Sequence, residues 1–218
     1  DYYASRGLGD VYKRQIFAWT TLFFVAGAVL FFTKAAALPY KVAWPVLLLS
    51  LATFLSRRRE LLPFGFAFLF SAAGDAVGAR GLFIPQMAFF ALAHVAYVCW
   101  FLPRARHRLR AVSLAVTVPL LVFLFAAIVP EAPFPAERIG VAVYGLVIAA
   151  MLYSALQYDG ACAAGFKCAA LLFVFSDAVI AWNRFIGPVP ARTWIVMITY
   201  YLAQYLFFRF AFKTAARN

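Results

Sequence analysis

The sequence has few charged residues for its length. Only 13% of the 218 residues are Asp, Glu, Lys or Arg, whereas 66% are hydrophobic and 19% are aromatic. A chain of this composition does not have enough polar side chains to cover a soluble globule. The composition therefore predicts an integral membrane protein.

Cysteine and histidine are scarce as well. The chain has three cysteines and two histidines, and they do not have the spacing of a metal-binding motif. An odd number of cysteines also gives no disulfide framework. We expect no metal and no cofactor.

Acidic residues are the rarer charged class, with eight against 20 Lys and Arg and a formal net charge of +12. The basic residues lie in short clusters between apolar runs, where they set the orientation of membrane helices. Membrane lipids, and not nucleic acid, are the partners we expect. When the Lys and Arg residues are assigned to the two sides of the predicted bundle, 14 of the 20 lie on the side that holds both termini. This excess predicts cytoplasmic termini. The membrane we expect is a bacterial inner membrane.

Eight apolar runs follow one another from Ile16 onward and predict an all-α, polytopic bundle of eight transmembrane helices. A helix needs about 20 residues to cross the hydrocarbon core, so the second run is marginal. The predicted spans are residues 16–33, 42–56, 61–79, 83–102, 111–129, 138–156, 165–183 and 193–212. Short breaks rich in Pro, Gly or Arg separate them, so residues 16–213 are expected to form one domain.

Residues 1–15 do not fit this pattern. They are polar and lack the apolar centre of a signal peptide. They are similar to a read-through peptide at the end of an assembled sequence read, so we expect a non-native or disordered leader. A genuine basic arm is the alternative.

Two aspartates interrupt the apolar runs. Asp75 and Asp177 are each the only acidic residue of a predicted span, the third and the seventh. A carboxylate at a helix centre costs about 2.5 to 3.5 kcal/mol and is rare without a function. The two spans run in the same direction, which puts both aspartates in the same half of the bilayer. We expect them to approach each other across a shared cavity.

A weak internal repeat relates the two aspartates. Residues 69–77 are similar to residues 173–179, and Leu-Ala-His at residues 92–94 recurs as Leu-Ala-Gln at residues 202–204. The repeat predicts two parallel four-helix halves. Chance similarity between short apolar segments is the alternative.

A series of polar motifs runs in order along the chain: FSAAGDAV, FFALAHVAY, LLFVFSDAVIAWNRF, PVP and TYYLAQ. In this order they resemble the YhhN-like lysoplasmalogenase family of eight-span membrane proteins. The resemblance implies hydrolysis of the vinyl ether bond of lysoplasmalogens (lysoplasmenylcholine or lysoplasmenylethanolamine). The lysophospholipid and water would be the reactants, and a fatty aldehyde and a glycerophospho-alcohol the products.

The same resemblance implies a set of site residues. Asp75 and Asp177 match the aspartates of the family's Gly-Asp and Ser-Asp motifs and are the candidate catalytic pair. Lys41, four residues before Pro45, matches the family pattern only loosely. The candidate supporting or substrate-binding residues are Lys41, His94, Tyr97, Asn183, Arg184, Tyr200, Tyr201 and Gln204.

Two carboxyl groups also suit this reaction on chemical grounds. Cleavage needs an acid that protonates the terminal alkene carbon, and water then attacks the oxocarbenium ion. Glycosidases handle a related cation with two carboxyl groups. Apolar surroundings let one carboxyl group keep a proton while its neighbour stays ionised. The sequence leaves open which aspartate is the acid.

Three other classes of protein remain open. A proton-coupled transporter also uses buried carboxylates in repeated halves. An intramembrane aspartyl protease needs two aspartates, but its Tyr-Asp and Gly-x-Gly-Asp signatures are absent at both sites. In a non-enzymatic lipid-binding protein the aspartates would only join helices. A cavity that is closed toward the cytoplasm and holds both carboxylates favours the hydrolase, and a continuous path favours the transporter.

Overall fold

A computed structural model describes residues 2–33 and 40–216, with side chains from residue 15 onward. In this part of the chain the backbone forms eight α-helices and no strand. They are α1 (Tyr2–Phe32), α2 (Trp44–Leu55), α3 (Leu62–Gly78), α4 (Phe83–Phe101), α5 (Arg110–Phe123), α6 (Pro135–Gln157), α7 (Ala163–Phe185) and α8 (Arg192–Ala215). The predicted all-α bundle of eight helices is confirmed.

Seven of these helices are long and apolar enough to cross a membrane. The exception is α2, whose 12 residues fall short of the length that the hydrocarbon core requires. The sequence marked the same span as marginal. The chain is thus a polytopic, integral membrane protein.

The helix bounds agree with the predicted spans to within a few residues, except at α1. This helix begins at Tyr2 and not near Ile16, so the described backbone of residues 2–14 is helical. The interpretation of residues 1–15 as a non-native or disordered leader stays a prediction. Asp1 lies outside the described residues.

The helices alternate in direction, so that both termini lie at one end of the bundle. The ring of Phe17 in α1 stacks on Phe208 in α8, with centroids 5.6 Å apart. Thr214, near the end of α8, donates a hydrogen bond to the carbonyl of Ala161 before α7, at 3.2 Å. We call this the termini end.

We call the opposite end of the bundle the far end, and contacts between neighbouring helices occur there as well. Arg80, after α3, donates from Nε to the hydroxyl of Tyr40 at 2.8 Å. Arg184 of α7 pairs there with Glu137 of α6. Two residues of the charge count, Lys34 and Arg217, lie outside the described residues. That the termini end faces the cytoplasm stays a prediction.

Helix packing follows a similar pattern in the two halves of the chain. α3 packs along α4 as α7 packs along α8, and α4 contacts α6 as α8 contacts α2. Two related four-helix halves would give this pattern. The duplication itself stays a prediction.

Aromatic rings fill the core between the two ends. Phe64, Tyr97, Phe166 and Phe207 come from α3, α4, α7 and α8 and are fully buried. Tyr97 stacks on Phe207 at 4.3 Å between centroids, and Phe64 stacks on Phe166 at 5.8 Å. We call these four residues the aromatic layer. Dense packing of large rings holds the four helices at fixed positions.

α5 is the least regular helix. Pro119 lies inside it and lacks a backbone N–H, and Leu124–Ile128 continue it as a π-helical turn. π-turns occur frequently at functional sites. The turn packs against α6 at Gly145, where an added Cβ atom would overlap the side chain of Leu124. α5 therefore forms an irregular wall on one side of the bundle, packed against α6 at Gly145.

Candidate functional site

A mainly apolar pocket lies in the far half of the bundle, between α4, α5, α6 and α7. It contains about 810 Å³ of empty space, counted out to its open side. Phe83 and Phe90 are among the rings that form its walls, and its polar lining groups are Gln86, Tyr144 and Asp177. Apolar walls with a few converging polar groups are typical of ligand sites.

Asp177 is the acidic residue that lines this pocket. Its Oδ2 atom accepts a short hydrogen bond from the hydroxyl of Tyr144 on α6. Nε2 of His94 on α4 lies 3.6 Å from the same oxygen and 3.1 Å from the Tyr144 hydroxyl. Three helices therefore hold one carboxyl group, and these contacts all meet at Oδ2. Because its side chain is still 14% exposed, Asp177 can also contact a ligand.

Asp75 lies deeper, on α3. It is 7% exposed, and its Oδ2 accepts a hydrogen bond from the hydroxyl of Tyr200 at 2.8 Å. The ring centroid of Phe173 lies 5.4 Å from that of Tyr200 and 4.7 Å from that of His94, so this ring links the surroundings of the two acidic groups. The pocket lining includes Asp177 but not Asp75. The approach of the two carboxyl groups across a shared cavity stays a prediction.

A second polar group lies one helical turn from these residues. The hydroxyl of Tyr97 donates to Oε1 of Gln204 at 2.8 Å, and both residues are fully buried. Within the described residues, three buried polar atoms have no hydrogen-bond partner near this centre: Ser71 Oγ, His94 Nδ1 and Gln204 Nε2. Unpartnered buried polar atoms are costly, and they concentrate at functional interiors.

Three of the candidate supporting residues make other contacts. Lys41 donates from Nζ to the carbonyl of Thr33 at 3.0 Å, and Tyr201 donates to the carbonyl of Val42 at 2.8 Å. Both contacts lie at the described ends of the connection between α1 and α2. Asn183 accepts a hydrogen bond from the backbone N–H of Val189 at 3.1 Å, ahead of α8. Their substrate-binding role stays a prediction.

Arg184 lies at the far end of the pocket. Its Nη2 atom is 2.6 Å from Oε1 of Glu137, and its guanidinium lies over the ring of Phe83, 3.8 Å from the centroid. Phe83 and Phe185, the residue that follows Arg184, both line the pocket. The ion pair therefore lies beyond the lining residues, next to two aromatic walls of the pocket, and we call it the polar rim.

Sequence reasoning missed Tyr144 and Glu137. Tyr144 is the only hydroxyl-bearing residue in the first half of α6, and Glu137 lies seven residues before it. Residues 137, 141, 144 and 148 fall on one helix face, and the last three line the pocket. The signal in the sequence was that Glu137 and Tyr144 are polar residues on an otherwise apolar face of the helix.

A second pocket lies at the termini end. Arg104, Tyr158 and Thr214 line it, and it shares no lining residue with the first pocket. The aromatic layer lies between the two. The described side chains thus close the first pocket toward the termini end, which disfavours a transport path.

The chain is similar to one protein family and to several curated proteins. A sequence model described as the YhhN family matches residues 36–210. Lysoplasmalogenase TMEM86B of Homo sapiens is 39% identical over 144 residues, which cover 64% of this chain and 59% of that protein. TMEM86B of Sus scrofa is 34% identical over 142 residues, covering 64% and 59%.

A third relative is similar to the same extent. Lysoplasmalogenase TMEM86A of Bos taurus is 34% identical over 154 residues, which cover 63% of this chain and 60% of that protein. The chain thus spans about three-fifths of the length of the curated relatives it matches. No solved structure is significantly similar to it.

Proposed function

The chain belongs to the YhhN family, and from this membership and the pocket around Asp177 we propose that it hydrolyses the vinyl ether bond of lysoplasmalogens. The substrate class comes from the relatives, which are named lysoplasmalogenases. The observation that carries the proposal is a carboxyl group held by Tyr144 and His94 inside an apolar pocket. Water and the lysolipid are the reactants, and no cofactor takes part.

Asp177 is the residue that contacts the vinyl ether. Tyr144 and His94 both meet its Oδ2, which leaves Oδ1 as the atom to carry and deliver a proton. In the first step the carboxyl proton moves to the alkene carbon that is farther from the ether oxygen. The electron pair of the C=C bond forms the new C–H bond, and the adjacent carbon becomes part of an oxocarbenium ion.

Water completes the reaction. It adds to the oxocarbenium carbon, and its proton returns to the Asp177 carboxylate, which restores the acid. The hemiacetal then loses its hydroxyl proton as the glycerol oxygen gains one, and the C–O bond breaks. The net change is one water consumed, with an aldehyde and a glycerophospho-alcohol released. General acid–base catalysis of this kind contributes about 10²- to 10⁴-fold.

Asp75 lies deeper and does not line the pocket. It accepts a hydrogen bond from Tyr200, whose ring packs on Phe173 next to His94, so Asp75 positions the side chains behind Asp177. His94 orients the Asp177 carboxyl group. The two aspartates thus remain a functional pair, in which Asp177 meets the substrate and Asp75 positions the side chains that support it.

The hydrocarbon tail of the substrate can pack against α5. Leu120, Phe123 and Leu124 of this helix line the pocket. A single chain could leave the site here toward the lipid, while the head group turns toward Arg184. We also propose that this site opens to the non-cytoplasmic half of a bacterial inner membrane, since most basic residues lie at the termini end.

Aldehyde release from purified protein tests the proposal. A vinyl-ether lysolipid should be cleaved and its saturated ether analogue should not, because only an alkene can accept the proton. Asp177→Asn should abolish cleavage, whereas Asp159→Asn, an exposed residue paired with Arg108, should not. Tight lipid binding without any cleavage by the wild-type protein would instead identify a non-enzymatic lipid-binding protein.

A further inference from the structure

The polar rim of the pocket contains a carboxylate oxygen that nothing in the described protein satisfies. Glu137 is 8% exposed and lies in the first turn of α6. Its Oε1 atom is bound by Arg184, whereas Oε2 is buried without a hydrogen-bond partner. An unsatisfied, desolvated carboxylate oxygen is costly unless a ligand completes it.

The polar rim and the Asp177 site are separated by the same number of residues on two antiparallel helices. Glu137 precedes Tyr144 by seven residues on α6, and Arg184 follows Asp177 by seven residues on α7. Seven residues of helix span about 10 Å. The contact of Tyr144 with Asp177 and the contact of Glu137 with Arg184 are therefore two rungs of one helix pair, about 10 Å apart along its axis.

A lysolipid has polar groups at the corresponding separation. From the terminal vinyl carbon to the phosphorus atom there are about seven covalent bonds, which extend roughly 8 to 9 Å. With the alkene at Asp177, the phosphate reaches the level of Arg184. A guanidinium has five N–H donors, and this one is bound to Glu137 through Nη2.

We propose that Glu137 selects lysolipids whose head group carries a primary ammonium, as in phosphoethanolamine. This inference rests on the proposed function of the same pocket. When the phosphate binds Arg184, whose side chain is 40% exposed, the guanidinium moves away from Glu137 Oε1 and the carboxylate opens to the ligand. The ammonium beyond the phosphate then donates an N–H to Oε2. A quaternary choline has no N–H to donate and binds less tightly.

The binding of non-cleavable ligands tests this selection without turnover. The probes are saturated 1-alkyl ether lysolipids with phosphoethanolamine, phosphocholine or phosphoglycerol head groups, titrated into the purified full chain by calorimetry. We expect the ethanolamine form to bind about 10-fold more tightly than the choline form, the effect of one charge-assisted hydrogen bond. Glu137→Gln keeps an oxygen for Arg184 and should lose this preference.

Two further variants complete the design. Glu131→Gln removes the same charge from an exposed residue shortly before α6 and should keep the preference. Glu137→Asp keeps the carboxylate and should retain part of the preference even if Glu137→Gln fails to fold. Equal binding of all three head groups by the wild-type protein, or an equal loss for every head group in Glu137→Gln, overturns the inference.

Vinyl-ether cleavage is measured separately on the same preparations. Head-group selection without cleavage contradicts the proposed function and leaves the ammonium site in place. Cleavage with unchanged head-group preference in Glu137→Gln contradicts the ammonium site alone.

Discussion

Removal of one hydroxyl group, by Tyr144→Phe, perturbs the site with little change in packing. Tyr144 donates to Asp177 Oδ2 and also lies 3.1 Å from His94 Nε2, so the variant breaks both polar contacts of this hydroxyl. The ring, which lines the pocket, is kept. The variant therefore isolates the effect of the hydrogen bonds on Asp177.

The size of the effect follows from the type of bond. A hydrogen bond to a charged group contributes about 1.5 to 3 kcal/mol. If the whole amount holds Asp177 in its reactive position, the rate falls roughly 10- to 150-fold, at 1.36 kcal/mol for each factor of ten. We expect this loss in kcat and a smaller change in KM, because the hydroxyl orients the acid and the apolar walls bind the tail.

The assay is aldehyde release from a vinyl-ether lysolipid, with thermal unfolding as the control for folding. Tyr153→Phe on the same helix, outside the pocket lining, is the matched variant and should retain wild-type activity. A folded Tyr144→Phe protein with the wild-type rate refutes the assignment of Asp177 as the acid that Tyr144 positions.

Further predictions concern the same carboxyl groups and the wall beside them. Asp75→Asn and Asp177→Asn should each lower the cleavage rate by about 10²-fold or more without unfolding the protein, as measured by rate and melting temperature. His94→Gln should be less harmful in the same assay, because His94 orients the carboxyl group and does not deliver the proton. The pH–rate profile should be bell-shaped and report the coupled pair of aspartates, so that a profile with a single limb contradicts the coupling. Gly145→Ala should destabilise the bundle by about 1 to 3 kcal/mol in denaturant unfolding, because the new methyl group overlaps Leu124.

The helices could be predicted from the sequence because their signals are local. Apolar runs, and the Pro, Gly and Arg residues between them, define spans wherever the chain meets lipid. The short α2 was marked by its length alone. At α1 the same reasoning placed the start near Ile16, whereas the helix begins at Tyr2. Polar residues at the start of α1 are compatible with a helix, but they do not form the apolar run from which a membrane span is predicted.

The site was predictable in part. Asp177 stood out as a lone acidic residue, but its hydrogen-bond donor, Tyr144, comes from a neighbouring helix whose rotation the sequence does not give. Asp75 is also more deeply buried than Asp177, a difference that depends on how the helices pack. Such relations between helices arise only in the folded bundle.

The partner of Arg184 was also beyond sequence reasoning. Glu137 lies in the first turn of α6, where an acidic residue commonly serves the helix terminus. Only the antiparallel packing of α6 and α7 brings it to Arg184, at 2.6 Å. Side chains that meet across helices thus account for most of what the sequence could not supply.

The central claim is that the protein adds a proton to the alkene carbon of a vinyl ether. Hydrolysis in D₂O, with the aldehyde trapped at once by reduction and analysed by mass spectrometry, measures this step directly. We predict one deuterium on the carbon next to the carbonyl carbon in the wild-type product, and no product from Asp177→Asn. An aldehyde formed without that deuterium, or equal cleavage of the saturated ether, would contradict the account.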